Sequence, residues 1–315
     1  MNVSSLSFRR FSLFYGIAAL LLINSTAPPV THADQQGVTT PTTPPTTTTR
    51  YMSTTDPNTL YNEGCSQHDQ AGIVVLDFGQ PWWDGYNYGS IIFGSNTFRS
   101  VWDIEVAAES WIDGWWWCTP SYTPHIRLAI GTSNYLGYTG YGHGQAWAQM
   151  VNDVGGYVQS MGYSSQVDVA GASDMELDWN SASITRAWAD GYDSADNWPY
   201  YNYGDAAGCP PYGSCDNGWR QEDVWYVSWG VLPAYPLPEI YTDATSREWY
   251  RLSLYGYTYH GQAILISGTM TQWAAMGYCC TNTPSQGYNQ LNNKLNRDWR
   301  TRQTIPWSTD ITWAN

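Results

Sequence analysis

Positive charge is scarce in this sequence. Thirteen lysines and arginines face 27 aspartates and glutamates among 315 residues, and Lys294 is the single lysine. A protein that grips a nucleic-acid duplex needs a basic face to displace phosphate counterions, so that class of partner is excluded. Several short motifs are missing as well. No GxGxxG, P-loop or GxSxG stands at a strand-to-helix turn, which leaves nucleotide-dependent and serine-hydrolase chemistry without a cradle or a nucleophile. There is no HExxH and no paired CxxC, and His68, His125, His143 and His260 are scattered, so neither a metal nor a cofactor is expected. The apolar stretch at residues 11–23 falls short of the ~20 residues that a membrane-spanning helix needs.

That stretch has another reading. Arg9 and Arg10 precede it, and Thr31-His32-Ala33 follows with a small residue for cleavage, so residues 1–33 have the layout of a secretion signal. A secreted, extracellular or cell-wall-associated protein is expected. Removing the two arginines leaves 13 − 2 = 11 basic residues against 27 acidic ones, a net charge of 11 − 27 = −16. Residues 34–60 are dominated by Thr, Pro, Gln and Ser, with TTPTTPPTTTT at 39–49. Such a stretch has little to bury and is expected to be a disordered tether. A single domain is then expected over residues 61–315, enough for one large core.

All six cysteines fall beyond the leader, as in an exported chain that oxidises. Cys209 and Cys215 bracket a Pro/Gly-rich loop whose ends can meet, and they are expected to pair. Cys279 and Cys280 are expected to reach separate partners, with Cys65 and Cys118 as candidates. Along the domain, short apolar runs alternate with helical patterns. IVVLDF (73–78), residues 126–130, 167–174, 200–203, VWYVSW (224–229) and AILIS (263–267) read as strands, with weaker ones at 90–93 and 310–313. Residues 101–115, 144–161, 183–190, 242–255 and 284–299 read as helices. Strand alternating with helix implies a parallel sheet, and an irregular (β/α)8 TIM-like barrel fits the pattern, with an open doubly wound parallel sheet as the alternative.

The stretch QVDVAGASDMELDW (166–179) organises the rest. Along an extended strand Val167 and Val169 point one way, while Asp168, Ala170, Ala172, Asp174 and Glu176 point the other. In a parallel barrel the branched side chains meet the helices, the small or polar ones face inward, and function gathers at the strand's C-terminal end. Asp174 and Glu176 stand there, close enough to shift each other's ionisation, as an acid/base pair requires. Asp174, Glu176 and Asp178 could otherwise hold calcium, and Asp77 could simply cap a loop. Trp and Tyr make up 44 residues against six Phe, and flat rings with a polar tip suit sugar faces.

Asp77 closing VVLDFGQPW and Asp174-Met175-Glu176 closing a later strand resemble the Chalaropsis-type lysozymes, and more weakly the chitinases. IGTSNY, YYNYGDAAGCPPYGSCDNGW and QEDVWYVSWG are further similar to a family of uncharacterised secreted bacterial glycoside-hydrolase-like barrels. The resemblance implies hydrolysis of an aminosugar polysaccharide, peptidoglycan or chitin-like. It makes Glu176 the general acid and Asp174 and Asp77 the orienting and charge-stabilising groups. Tyr226, Trp229, Trp82, Trp83 and Tyr203 are the expected substrate-binding residues. A non-catalytic carbohydrate-binding or cell-surface protein is the alternative.

Overall fold

The computed structural model describes residues 43–120, 125–206, 208–210 and 214–314. The expected leader and the first part of the expected tether lie outside the described residues. In chain order the elements are β1 (Thr46–Tyr51), α1 (Pro57–Ser66), β2 (Gly72–Asp77), β3 (Gln80–Trp83), β4 (Tyr88–Ile91), β5 (Phe98–Ser100), α2 (Val101–Cys118), β6 (Ile126–Ser133), α3 (Tyr141–Ser160), β7 (Val167–Asp174) and α4 (Ala182–Asp193). Then come β8 (Tyr200–Asn202), α5 (Gln221–Trp225), β9 (Ala234–Pro236), α6 (Asp243–His260), β10 (Thr269–Thr271), α7 (Pro284–Arg297) and β11 (Ser308–Trp313). Eight strands form one curled parallel sheet in the order β10-β11-β1-β2-β6-β7-β8-β9, and β3-β4-β5 form a small antiparallel sheet.

The two faces of the sheet bury different residues. Val74, Leu76, Leu128, Ile130, Val167 and Val169 pack outward with the helices. Ile73, Val75, Ala129, Ala170, Ala172, Tyr201, Tyr203, Leu237, Met270 and Ile311 meet in a separate inner cluster, with Tyr51 against it. The period-two reading of β7 is thereby realised in space, and Asp77 and Asp174 inherit the inward direction from Val75 and Ala172. Gly131 lies on this inner face because a Cβ there would come within 3.0 Å of the Tyr203 hydroxyl and 3.2 Å of the Asp77 Cα. The helices start where their caps say. Ser100 caps α2 reciprocally with Asp103, and Thr283 with Gln286 caps α7 ahead of Pro284.

Several expectations are corrected. The fold begins at Thr46 rather than Tyr61: part of the supposed tether is β1, paired in parallel with β11 on one side and β2 on the other. Threonine is β-branched and favours strands. Thr47 and Thr49 turn inward, where the Thr47 hydroxyl donates to the Ile73 carbonyl and the Thr49 and Thr309 hydroxyls lie 2.7 Å apart. VWYVSW is helical: α5 runs into a π-turn at Tyr226–Gly230, and the Ser228 hydroxyl donates to the Val224 carbonyl one turn back. Its buried residues, Val224, Val227 and Ser228, follow helical spacing. The strand comes later, at Ala234–Pro236, disguised by flanking prolines. AILIS buries Ile264 and Ile266 and meets the sheet only at its last residue, where the Ser267 amide donates to the Pro236 carbonyl; the strand itself, β10, starts at Thr269. Residues 88–91 form β4 of the small sheet, outside the main one.

Cys209 pairs with Cys215 as expected, but Cys65 pairs with Cys118, so neither serves Cys279 or Cys280. The Cys65–Cys118 bridge joins α1 to α2 where the two helices touch backbone to backbone. A Cβ on Gly64 would lie 2.0 Å from the Trp111 carbonyl oxygen, and one on Gly114 1.9 Å from that of Tyr61.

Candidate active site

β2 and β7 each end in an inward carboxylate, Asp77 opposite Gly131 of β6 and Asp174 opposite Ser133. Asp77 is 1 % exposed and Asp174 5 %. The Asp77 Oδ1 accepts from the Gly79 amide at 2.8 Å, while its Oδ2 is buried with no hydrogen-bond partner. Burial outweighs the Gly79 bond and pushes the Asp77 carboxyl up to about 7. Asp174 rises well above the usual carboxylate range, first through burial and then through repulsion by Glu176, Asp77 and Asp205.

Glu176 sits two residues beyond the end of β7. Asn134 holds it there: its side-chain oxygen accepts from the Glu176 amide, and its side-chain nitrogen donates to the Glu176 carbonyl, both at 3.0 Å. The Glu176 carboxylate accepts from the Asp205 amide at 3.1 Å. Burial, then the charge of Asp205, pushes Glu176 up to about 8. A fourth acid completes the group. Glu239, just after β9, is 1 % exposed and raised well above its ordinary value by burial, Asp174 and Glu176. Tyr51, Tyr203 and Tyr241 are likewise raised, with burial first among the causes.

No cation compensates these acids among the described residues. Arg127 pairs with Asp168 at 2.8 Å near the other end of β7, and Arg186 pairs with Asp223 at 2.8 Å. With no counter-charge at hand, the Asp174 and Glu176 carboxyls repel one another and their titrations are linked. A hard cation is the other way to balance them. Asp174, Glu176 and Glu239 each offer an oxygen, all within 4.8 Å of one another, and Asp174 Oδ1 and Glu239 Oε1 have no hydrogen-bond partner. An all-carboxylate set suits calcium or magnesium rather than zinc. Asp178 is exposed and takes no part; Glu239 occupies the place expected for it.

Asp77 and Asp174 both open into one cleft of about 420 Å³. No family model and no curated protein matches this chain. The reading of the cleft therefore rests on its residues.

Its aromatic walls are not the expected ones. Tyr51, Phe93 and Trp313 form a cluster with ring centroids 4.7–5.7 Å apart, and Tyr135 meets Trp179 edge to face at 5.6 Å across the opening. Of the expected binding residues, Tyr203 is beside the acids but fully buried beneath them, its hydroxyl donating to the Thr132 carbonyl at 2.9 Å. Trp82 packs on Tyr138 and Trp83 on Tyr88, in the small sheet and off the cleft. Tyr226 lies under the Arg186 guanidinium at 4.0 Å with its hydroxyl donating to Asp190, and Trp229 packs on Tyr235 of β9. Neither reaches the carboxylates. Tyr226 and Trp229 were expected at a strand's C-terminal end, and that strand is a helix. Glu239 had a weak signal in the sequence, an acid following a Pro-Leu-Pro run. The cleft aromatics had none, because β1 and β11 had to be placed side by side before the register Tyr51↔Trp313 could appear.

Proposed function

We propose that this chain is a glycoside hydrolase acting on an aminosugar-containing polysaccharide, with its eight strands closed into an irregular (β/α)8 barrel. Closure is supported by backbone bonds across the two outer strands: the Ser267 amide donates to Pro236 O at 2.9 Å, Met270 to Pro238 O at 2.9 Å, and Ile240 N to Met270 O at 2.8 Å. The inner cluster also draws on residues from both sides of that seam, Leu237 and Met270.

One observation carries the functional reading. Two buried carboxyls from separate strands, Asp77 and Asp174, face one aromatic-walled cleft, and the protonatable Glu176 lies against Asp174 just outside its lining. Glycosidic cleavage needs a carboxylic acid that still holds its proton near neutral pH and a second carboxylate facing the developing positive charge at the sugar. Glu176, held up at about 8, supplies the first as general acid. Asp77, which titrates at about 7, supplies the second as its ionised form becomes available there, and Asp174, raised further, orients the reacting groups. Tyr51, Tyr135, Trp179 and Trp313 offer faces for sugar rings. The strongly acidic surface favours a neutral or cationic polymer over a polyanion. The secreted, cell-wall-associated location expected from the leader fits such a substrate.

The test is release of reducing ends from purified chitin and peptidoglycan, compared between wild type and Glu176→Gln. Release that Glu176→Gln abolishes supports the reading. Retention of the polymer by both proteins with cleavage by neither leaves a carbohydrate-binding protein on a hydrolase-like fold. The oxygen cluster of Asp174, Glu176 and Glu239 favours one further reading, a bound hard cation. In that case calcium or magnesium raises the melting temperature of wild type but not of Glu239→Gln, and chelation lowers it.

A further inference from the structure

The loop between β10 and α7, residues 272–282, forms one lip of the cleft through Gln272, Ala275 and Met276. At its base the Asp310 carboxylate accepts from the Trp273 amide at 2.8 Å and the Ala274 amide at 3.0 Å, and backbone bonds run from Ala275 N to Ile311 O at 3.2 Å and from Asn282 N to Tyr241 O at 2.8 Å. At its exposed turn stand Cys279 and Cys280, with their Sγ atoms 2.6 Å apart. The other four cysteines are paired among themselves, so within the chain these two have only each other. The backbone around them is unusual. Tyr278 at φ 62° and Cys280 at φ 70° both lie in the left-handed region, where non-glycine residues are uncommon. Such conformations persist only where their surroundings impose them. Here they turn two consecutive side chains toward one point.

We propose that Cys279 and Cys280 close a vicinal disulfide that pins the lip of the cleft, and that its reduction releases the lip. The bond forms by two exchanges with a disulfide oxidant, small-molecule or protein. One cysteine thiolate attacks the oxidant, making a mixed disulfide and expelling one thiol. The neighbouring thiolate then attacks that mixed disulfide and expels the second thiol, so two electrons pass from the cysteine pair to the oxidant and two protons to its thiols. Cys279 and Cys280 are exposed, whereas Cys209 and Cys215 are buried and Cys65 and Cys118 half-buried, so this ring meets reductant before the other two bridges do. The inference holds whatever the cleft binds.

The test uses the full chain purified without reductant. Trypsin cuts after Arg251 and Lys294, and the peptide 252–294 contains Cys279, Cys280 and no other cysteine. After denaturation and alkylation without reduction, that peptide is expected two hydrogens lighter than the dithiol and free of label. Mild reduction should then add two labels to it while the other four cysteines stay protected. Two labels before reduction, or recovery of the peptide joined to another cysteine or to a second copy, overturns the bond. The pinning role is read by hydrogen exchange over residues 272–282. Exchange is expected to rise equally in mildly reduced wild type and in the Cys279→Ser/Cys280→Ser double variant, with no further rise when the variant meets reductant. Unchanged exchange on reduction overturns the pinning.

Discussion

Replacing Asp77 by asparagine isolates the cost of ionising a carboxyl at the floor of the cleft. In the folded protein this group holds its proton up to about 7, against an ordinary value of 3.8. Well below pH 3.8 both the folded and the unfolded chain are protonated there, and Asp77 carries no ionisation penalty. As the pH rises the unfolded chain gives up its proton and the folded chain does not, so stability falls until the folded group titrates as well. The difference of 7 − 3.8 = 3.2 pH units corresponds to about 4 kcal/mol, accumulating at about 1.4 kcal/mol per pH unit. Asp77→Asn cannot titrate. It leaves an amide where Oδ2 already lacked a partner, which adds a roughly pH-independent offset of about 1–3 kcal/mol. Urea unfolding followed by tryptophan fluorescence, without reductant and from about pH 4 to about pH 8.5, gives the stability of both proteins. Asp77→Asn should gain on wild type across the range and level off above pH 7. A difference that stays flat, or that moves the other way, refutes the claim that burial keeps this carboxyl neutral.

The remaining predictions concern the acid, the walls and the helix crossing. Hydrolysis by wild type should decline as the pH rises through about 8, the value at which Glu176 loses its proton, and a pH–rate profile reads that limb directly. Trp313→Ala, which removes a half-exposed cleft ring, should weaken oligosaccharide binding by about 1 kcal/mol, roughly fivefold, in calorimetry. Trp82→Ala, packed off the cleft on Tyr138, should leave binding unchanged. Gly114→Ala forces a methyl to within 1.9 Å of the Tyr61 carbonyl and should cost about 1–3 kcal/mol in chemical denaturation. Gly156→Ala, in α3 with nothing within 4 Å of its added methyl, should stabilise by up to about 1 kcal/mol.

What could be read from the sequence was what repeats within one element. The stripes of α2, α3, α6 and α7, the apolar β2, and the small-inward, branched-outward alternation of β7 are local patterns, and each is found in place. The pairing of Asp77 with Asp174 could also be anticipated, because both end inward-facing strands. The misreadings share one cause: burial decided them, and burial depends on distant partners. The threonine tract looks too polar to fold until the Thr309 hydroxyl and the Ile73 carbonyl stand beside it. Val224 to Trp229 is too short a run for its period to separate strand from helix. Glu239 joins the acids only because the segment after β9 lies against β10.

The strand that opens the fold is held between two others, and one of them, β11, is made long after it. Thr46 sits opposite Ser308, 262 residues further along, so synthesis must run past that point before β1 has both its neighbours. Until then one edge of β1, a row of hydroxyls and backbone amides, waits in water. Assembly of this kind is slow. Trimming a recombinant protein back to residue 61, where the threonine-rich composition ends, would take away the strand between β11 and β2, leaving two bare edges ready to stick to other molecules.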